Sequence, residues 1–366
     1  MYLTYTSAQN LVTELSTVQE TGTLWLLCFS DQHADQLPPF FEAASHRELR
    51  FCGGIFPGLI DNDQRRDKGV IAIPLHPRAQ LITGTLDQSS ETWIAQNQTL
   101  MSDTPATALL FMDSQSPGIS GFMEAIYDQF GTRVHFAGAG AGFRDLRQAP
   151  SIFCESGFIE HGSLLILLPQ LSTVNVRHGW KRVAGPFIAT RTNGKIIQEL
   201  NWEAAGSFYR REIEALAPEL KSKPVFPDLV MRFPLSIGKQ AAEDVVRDPF
   251  SINDADEIVC LSDVPENSAI YISEGSKDSL IEAAQQAITE CNKGDRASTC
   301  FISDCYSRAL MLDDELATEL HRAGSALKQI TDKPLQGVLA LGEICGNGHS
   351  SLEFYNKTFL VALLHE

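Results

Sequence analysis

The sequence predicts an α/β or α+β fold in two domains, each a mixed sheet with helices packed on it. Three observations carry that expectation. Short apolar runs of strand length alternate with longer stretches of helical periodicity along the whole chain. At 366 residues the chain has room for about two domains, each with its own hydrophobic core. Three prolines within KSKPVFPDLVMRFPL (221–235) interrupt regular structure between two such series and suit a linker. They set the domains at 20–222 and 223–366.

In chain order, TLWLLCFS (23–30) is a buried strand and a helix follows near 37–45. LRFCGGIFPGLI (49–60) is a strand feeding a glycine-rich turn, and GVIAIPL (69–75) is the next strand. TALLFMDS (107–114) leads through a helix that Gly131 stops, then to a strand and the turn FAGAGAGF (136–143). SLLILLPQL (163–171) is a buried strand, and PFIATRTNGKIIQEL (186–200) is a hairpin with Asn193-Gly194 at its turn. NWEAAGSFYRREIEALAPEL (201–220) is a helix of about five turns. Beyond the linker, two strands flank Asn267, and a helix opens at Ser276 and stops at Gly294. The strand 297–305, the helix 313–330 and the strands 336–344 and 358–366 close the chain. No internal repeat is visible.

With 46 acidic and 29 basic residues the net charge is -17, which excludes nucleic acid as the main partner because phosphate contacts need clustered cations. It also disfavours anionic membrane surfaces. No segment approaches the ~20 apolar residues of a membrane span, and the N-terminus lacks the basic and apolar regions of a signal peptide. The eight cysteines show no C-x-x-C pair and fit reduced thiols, so a cytoplasmic location is expected.

Against this acidic background, residues 176–195 (VRHGWKRVAGPFIATRTNGK) carry Arg177, Lys181, Arg182, Arg191 and Lys195 with no acidic residue among them. His178 stands beside Gly179, which admits a bulky group, and Trp180, which offers an aromatic wall. His135 and His161 lie near strand ends and are the other histidines placed to face a cavity. The glycines of FAGAGAGF alternate every second residue, the wrong spacing for a dinucleotide loop, and mark a close approach of backbone instead. Cys300, Cys305, Cys345 and His349 match no zinc pattern. Cys52, Cys154 and Cys305 have no base at a recognisable spacing, so an enzyme with a cysteine nucleophile is the weakest of the function classes.

The stretch HGWKRVAGPFIATRTNGKIIQELNWEAAGSFYRREI, with CGGIFPGLI upstream, resembles the N-terminal half of the FIST family of bacterial sensory proteins. FISDCYSRALMLDDELATELHRAGSAL, then GVLALGEICGNG and FYNKTFLVALL, is similar to the C-terminal FIST domain, with its Gly-Glu-Ile stretch and Asn-x-Thr strand. The resemblance spans residues 20–364. It implies ligand sensing rather than catalysis, coupled to two-component signalling. No kinase core, methyl-accepting helix or nucleotide-cyclising domain accompanies the two halves. That favours a likeness to the stand-alone haem-containing nitric oxide sensors, which act on a sensor histidine kinase. Under that likeness His178 is the axial ligand of haem b, with His135 and His161 as runners-up. Trp180 and Phe187 lie on the macrocycle, and Arg177, Lys181, Arg182 or Arg191 hold the propionates. The alternative is an amino-acid sensor without haem. There the same cations clamp a carboxylate, and Glu343 or Asp304 holds the ammonium. Homo-oligomer formation is left open.

Overall fold

A computed structural model describes residues 1–97, 105–220, 226, 229–240, 242–292, 294 and 297–365. The expected boundary at 222/223 lies outside the described residues. The fold is α/β, as the alternation predicts: mixed sheets with helices packed against them.

Three six-stranded sheets share one plan. In each unit a strand is followed by a helix and a parallel strand, and a later strand returns antiparallel on the other side of the first. In unit one these are Leu24–Ser30, Phe51–Phe56 and Val70–Leu75. In unit two they are Thr107–Asp113, His135–Ala141 and Gly162–Leu168. In unit three they are Ala297–Cys305, Gln336–Ala340 and Phe359–His365.

After its parallel strand, each unit lends a short strand to a neighbour. Gly58–Asp61 of unit one pairs with Gln336–Ala340, Ile152–Cys154 of unit two with Phe51–Phe56, and Glu343–Gly346 of unit three with His135–Ala141. The strands that leave the first two units dock in turn, Gln80–Thr85 on Gly162–Leu168 and Ser172–Arg177 on Phe359–His365. Tyr2–Leu3 fills the matching place on Val70–Leu75. The three sheets thus close into a ring with pseudo-threefold symmetry.

Where each parallel strand crosses its partner, a glycine stands at the same register: Gly53 opposite Leu27, Gly138 opposite Leu110 and Gly337 opposite Ile302. A Cβ at any of the three would fall inside the partner's carbonyl oxygen. Two sequence expectations therefore change. FCGGIF and HFAGAGA are strands rather than turns, because their glycines serve close strand approach, not a reversal. The chain also has an internal repeat that its residues conceal.

The inner faces of the sheets share one apolar core. Each outer face is covered by its own helices: Ala8–Thr17 and Leu37–Ser45 in unit one, Ser90–Asn97 and Ile119–Phe130 in unit two, Lys277–Thr289 and Leu316–Leu327 in unit three. Ser276 caps Lys277–Thr289 with a reciprocal bond from Ser279, as its sequence predicts. That helix ends at Thr289 rather than at Gly294. The helix expected from 201 starts later, at Ala205–Leu216, because Asn201 and Trp202 both take positive φ. Ala8–Thr17, Ser90–Asn97 and Tyr306–Leu312 are helices that the sequence reading missed.

Between Ser172–Arg177 and Lys277–Thr289 the ring is interrupted by a fourth, eight-stranded sheet. Its longest strand, Lys181–Asn193, pairs with Ala269–Glu274 and, past a bulge, with Ile196–Leu200. The basic stretch of the sequence forms the neck by which this sheet leaves the ring.

Candidate ligand-binding site

The neck is tightly built. Gly179 takes φ 89°, and a Cβ there would strike the Ser279 backbone. Gly275, where the chain returns, lies against the indole of Trp180. Arg177 bonds Glu243 at 2.7 Å and Glu290 at 2.6 Å. Arg182 clasps Asp244 through Nε and Nη2 at 2.6 and 2.5 Å and stacks 4.0 Å over Tyr271. Arg191 pairs with Glu199 at 2.9 Å, outside the neck cleft, while Lys181 is exposed on its edge. Arg177 and Arg182, which looked unopposed in sequence, thus meet carboxylates from distant segments.

His178 is buried, and its Nδ1 accepts the Trp180 amide at 2.8 Å. That fixes the ring proton on Nε2, 3.5 Å from Glu243 Oε1. Burial pulls the His178 pKa down, against the pull of Glu243, so the imidazole is neutral.

These residues do not fit an axial haem ligand. One ring nitrogen is occupied by the chain's own turn and the other faces a carboxylate. The cleft of about 470 Å³ beside it is lined by Glu243, Asp244, Glu282 and Glu290, which would repel propionates. Phe187 packs edge-on against Phe208 at 4.8 Å. His135 Nδ1 bonds the Ser172 carbonyl at 2.6 Å, and His161 Nδ1 bonds Ser116 Oγ at 2.8 Å. Among the described residues no group of three or more His, Cys, Asp or Glu side chains is arranged to hold a metal ion.

A second cavity, of about 400 Å³, opens where the fourth sheet meets units two and three of the ring. Its walls are largely apolar, among them Phe226, Val230, Leu261, Leu310 and Leu341. A polar group stands at one end. Asp248 follows Val245–Arg247, Ser307 lies in the first turn of Tyr306–Leu312, and Asn356 precedes the closing strand. Ser307 Oγ donates to Asp248 at 2.8 Å. Lys357, with no exposure and φ 58°, places Nζ 2.9 Å from Ser307 Oγ and 3.2 Å from Asp248 Oδ2. Asn356 is buried, and among the described residues its Oδ1 has no hydrogen-bond donor.

Trp180 of the neck lies near two buried cations. Lys357 lies 5.4 Å and the Arg308 guanidinium 6.0 Å from its ring. Arg308 itself is fully buried. It bonds Asp304 at 3.1 Å, the His178 carbonyl at 2.7 Å, the Leu280 carbonyl at 3.2 Å, and Glu319.

The FIST N domain family matches residues 24–203 and the FIST C domain family residues 205–346. The chain carries both FIST domains. FIST domains are sensory domains of signal transduction. Among curated proteins none matches the chain. No helix among the described residues is long and apolar enough to cross a membrane.

In this FIST protein the apolar cavity takes walls from both matched stretches, Ser114 and Arg144 from the first, Asp248 and Ser307 from the second. The Gly-Glu-Ile and Asn-x-Thr stretches of the second half meet in space: Glu343 Oε2 accepts the Thr358 amide at 3.1 Å and its hydroxyl at 2.6 Å. Glu343 and Asp304, the carboxylates expected to hold an ammonium, do not line the cavity. Both are fully buried, Asp304 on Arg308 and Glu343 on Thr358. The cavity's carboxylate is Asp248, which sequence reasoning missed because nothing at fixed spacing marks it. Cys305 lines the cavity, but burial pushes its thiol far above the usual range, as it does Cys52.

Burial also pushes the Glu343 carboxyl well up, against the two bonds from Thr358. The folded state keeps this proton, and the unfolded state releases it above the ordinary value of 4.5. Stability therefore falls as pH rises from there toward the folded value. Glu343→Gln is expected to flatten that slope by up to about 1.4 kcal/mol per pH unit. Urea midpoints taken between about pH 5 and 8 check it. Buried Asp304 and Glu319 titrate in the same sense, so part of the slope persists.

Proposed function

We propose that this FIST protein senses a small amine-bearing metabolite of the amino-acid class, held in the apolar cavity between the fourth sheet and the ring. One observation carries the reading: the lining of an apolar cavity of metabolite size includes Asn356, whose buried Oδ1 lacks a donor among the described residues, and Asp248. A ligand amine supplies the donor that Asn356 Oδ1 lacks, beside an Asp248 carboxylate that Lys357 already neutralises, and the apolar body lies along Val230, Leu261 and Leu310. Binding next to Ser307 and Lys357 would bias the contacts that both cations make with Trp180, and so the neck of the fourth sheet.

The test is a thermal-shift panel of amino acids and simple amines, followed by calorimetry. A saturable rise in Tm with an amine-bearing ligand is expected. Asn356→Leu, which keeps the branching at Cγ, is expected to weaken binding about tenfold, near 1.4 kcal/mol. No shift across the panel counts against the reading. The competing one is haem with nitric oxide as the signal and a histidine kinase as partner. A stoichiometric Soret band after haemin addition, shifted by nitric oxide and lost in His178→Ala, would replace the amine reading.

A further inference from the structure

Arg247, the last residue of strand Val245–Arg247, is buried at 7% exposure, yet among the described residues no carboxylate lies within ion-pair distance. Nε donates to the Asp263 carbonyl at 2.7 Å, and Nη1 donates to the carbonyls of Val246 at 3.2 Å and Phe354 at 3.1 Å. Nη2 has no protein acceptor among the described residues. The contrast with Arg308 is informative. Both are buried, but Glu319 and Asp304 outweigh burial at Arg308, whereas burial dominates at Arg247 and presses its pKa down. A buried guanidinium is costly unless an anion meets it.

The space beside Arg247 is a small cavity of about 50 Å³. Two further features of its wall suit an anion. Lys195 is half-buried there, and its ammonium has no partner among the described residues. Gly118, Ile119 and Ser120 bring the start of helix Ile119–Phe130, where Gly118 provides no side-chain cap. The positive end of the helix dipole therefore borders the same space. The one carboxylate on the wall, Asp263, accepts the Ser120 hydroxyl at 2.7 Å and forms no ion pair with either cation.

We propose that Arg247, Lys195 and the first turn of Ile119–Phe130 form a binding site for a small oxyanion, a carboxylate or a phosphate-type group. It is separate from the amine-binding end of the larger cavity, although Ser114 and Leu261 line both spaces. The site stands without the amine reading, because none of its groups is Asp248 or Asn356.

The test titrates inorganic phosphate, sulfate and acetate into the full chain against sodium chloride at equal ionic strength, following Tm. Saturable stabilisation by at least one oxyanion, absent with chloride, is expected. Saturation by phosphate or sulfate assigns a phosphate-type group, and saturation by acetate alone assigns a carboxylate. Lys195→Met, whose side chain bonds nothing, should keep the fold and weaken the anion at least fivefold. Arg247→Met should abolish the effect, with circular dichroism as the check on folding. Asn356→Leu should leave the titration unchanged. Oxyanions indistinguishable from chloride, or undiminished affinity in Lys195→Met, would overturn the proposal.

Discussion

Gly138→Ala is expected to yield no cooperatively folded protein. Gly138 lies in a parallel pair, fully enclosed, with the Leu110 carbonyl directly over its Cα. An added methyl cannot rotate away, since Cβ has no torsion of its own, and the obstacle is backbone rather than a pliant side chain. The two strands must separate, losing the ladder on both sides of the contact and opening the core beneath. Overpacking of a yielding core costs about 1–3 kcal/mol, and here the core cannot yield. The loss approaches the ~5–15 kcal/mol that holds a whole domain together. Gly53→Ala and Gly337→Ala should fail alike, because each meets a carbonyl at the same register of its own unit. Gly121→Ala provides the contrast. It sits in helix Ile119–Phe130 with open space around it, and should gain about 0.5–1 kcal/mol. Soluble yield and urea unfolding of the four variants measure this directly. Wild-type stability in any of the three strand variants would refute the shared role.

The second large effect is expected at Arg308. Arg308→Met keeps the length of the side chain but strands Asp304 and Glu319, both without solvent exposure, and frees the carbonyls of His178 and Leu280. Removing one member of a buried ion pair costs about 3–5 kcal/mol. The remaining carboxyls adapt by staying protonated, and burial already pushes both upward. Their protonated forms favour the folded state most at low pH, and this advantage is lost as pH rises above the ordinary carboxyl range. The variant should therefore be least stable at alkaline pH and recover toward pH ~5. Adding Glu319→Gln should restore part of the loss at neutral pH, a coupling that a double-mutant cycle resolves. A deficit independent of pH would assign Arg308 to packing rather than charge.

The central strands and several helices were legible because each depends on its own residues: LLCFS, ALLFMD and LLILL are apolar enough to be buried on both faces wherever they pair. The ring was not. Its three units share a backbone plan and one glycine each, and FCGGIF, HFAGAGA and QGVLA have little else in common. Glycine in a strand signals close approach without naming the partner. The neck was legible as an anomaly but not in its meaning. Glu243, Asp244 and Glu290, which neutralise its arginines, lie more than 60 residues further along the chain, and no local pattern announces them. The same holds for the cavity. Asp248, Ser307 and Asn356 come from three separate elements, each unremarkable in its own neighbourhood.

The lending of strands around the ring bears on how this molecule can be taken apart. A cut between the two family-matched stretches, near residue 204, would leave Gly58–Asp61 without Gln336–Ala340, His135–Ala141 without Glu343–Gly346, and Ser172–Arg177 without Phe359–His365. Each severed piece would present raw sheet edges beside exposed core, the profile of an aggregating fragment. FIST N and FIST C are thus two chapters of one text rather than two books. Inheritance can recognise them separately, but neither is a physical part that can be removed intact.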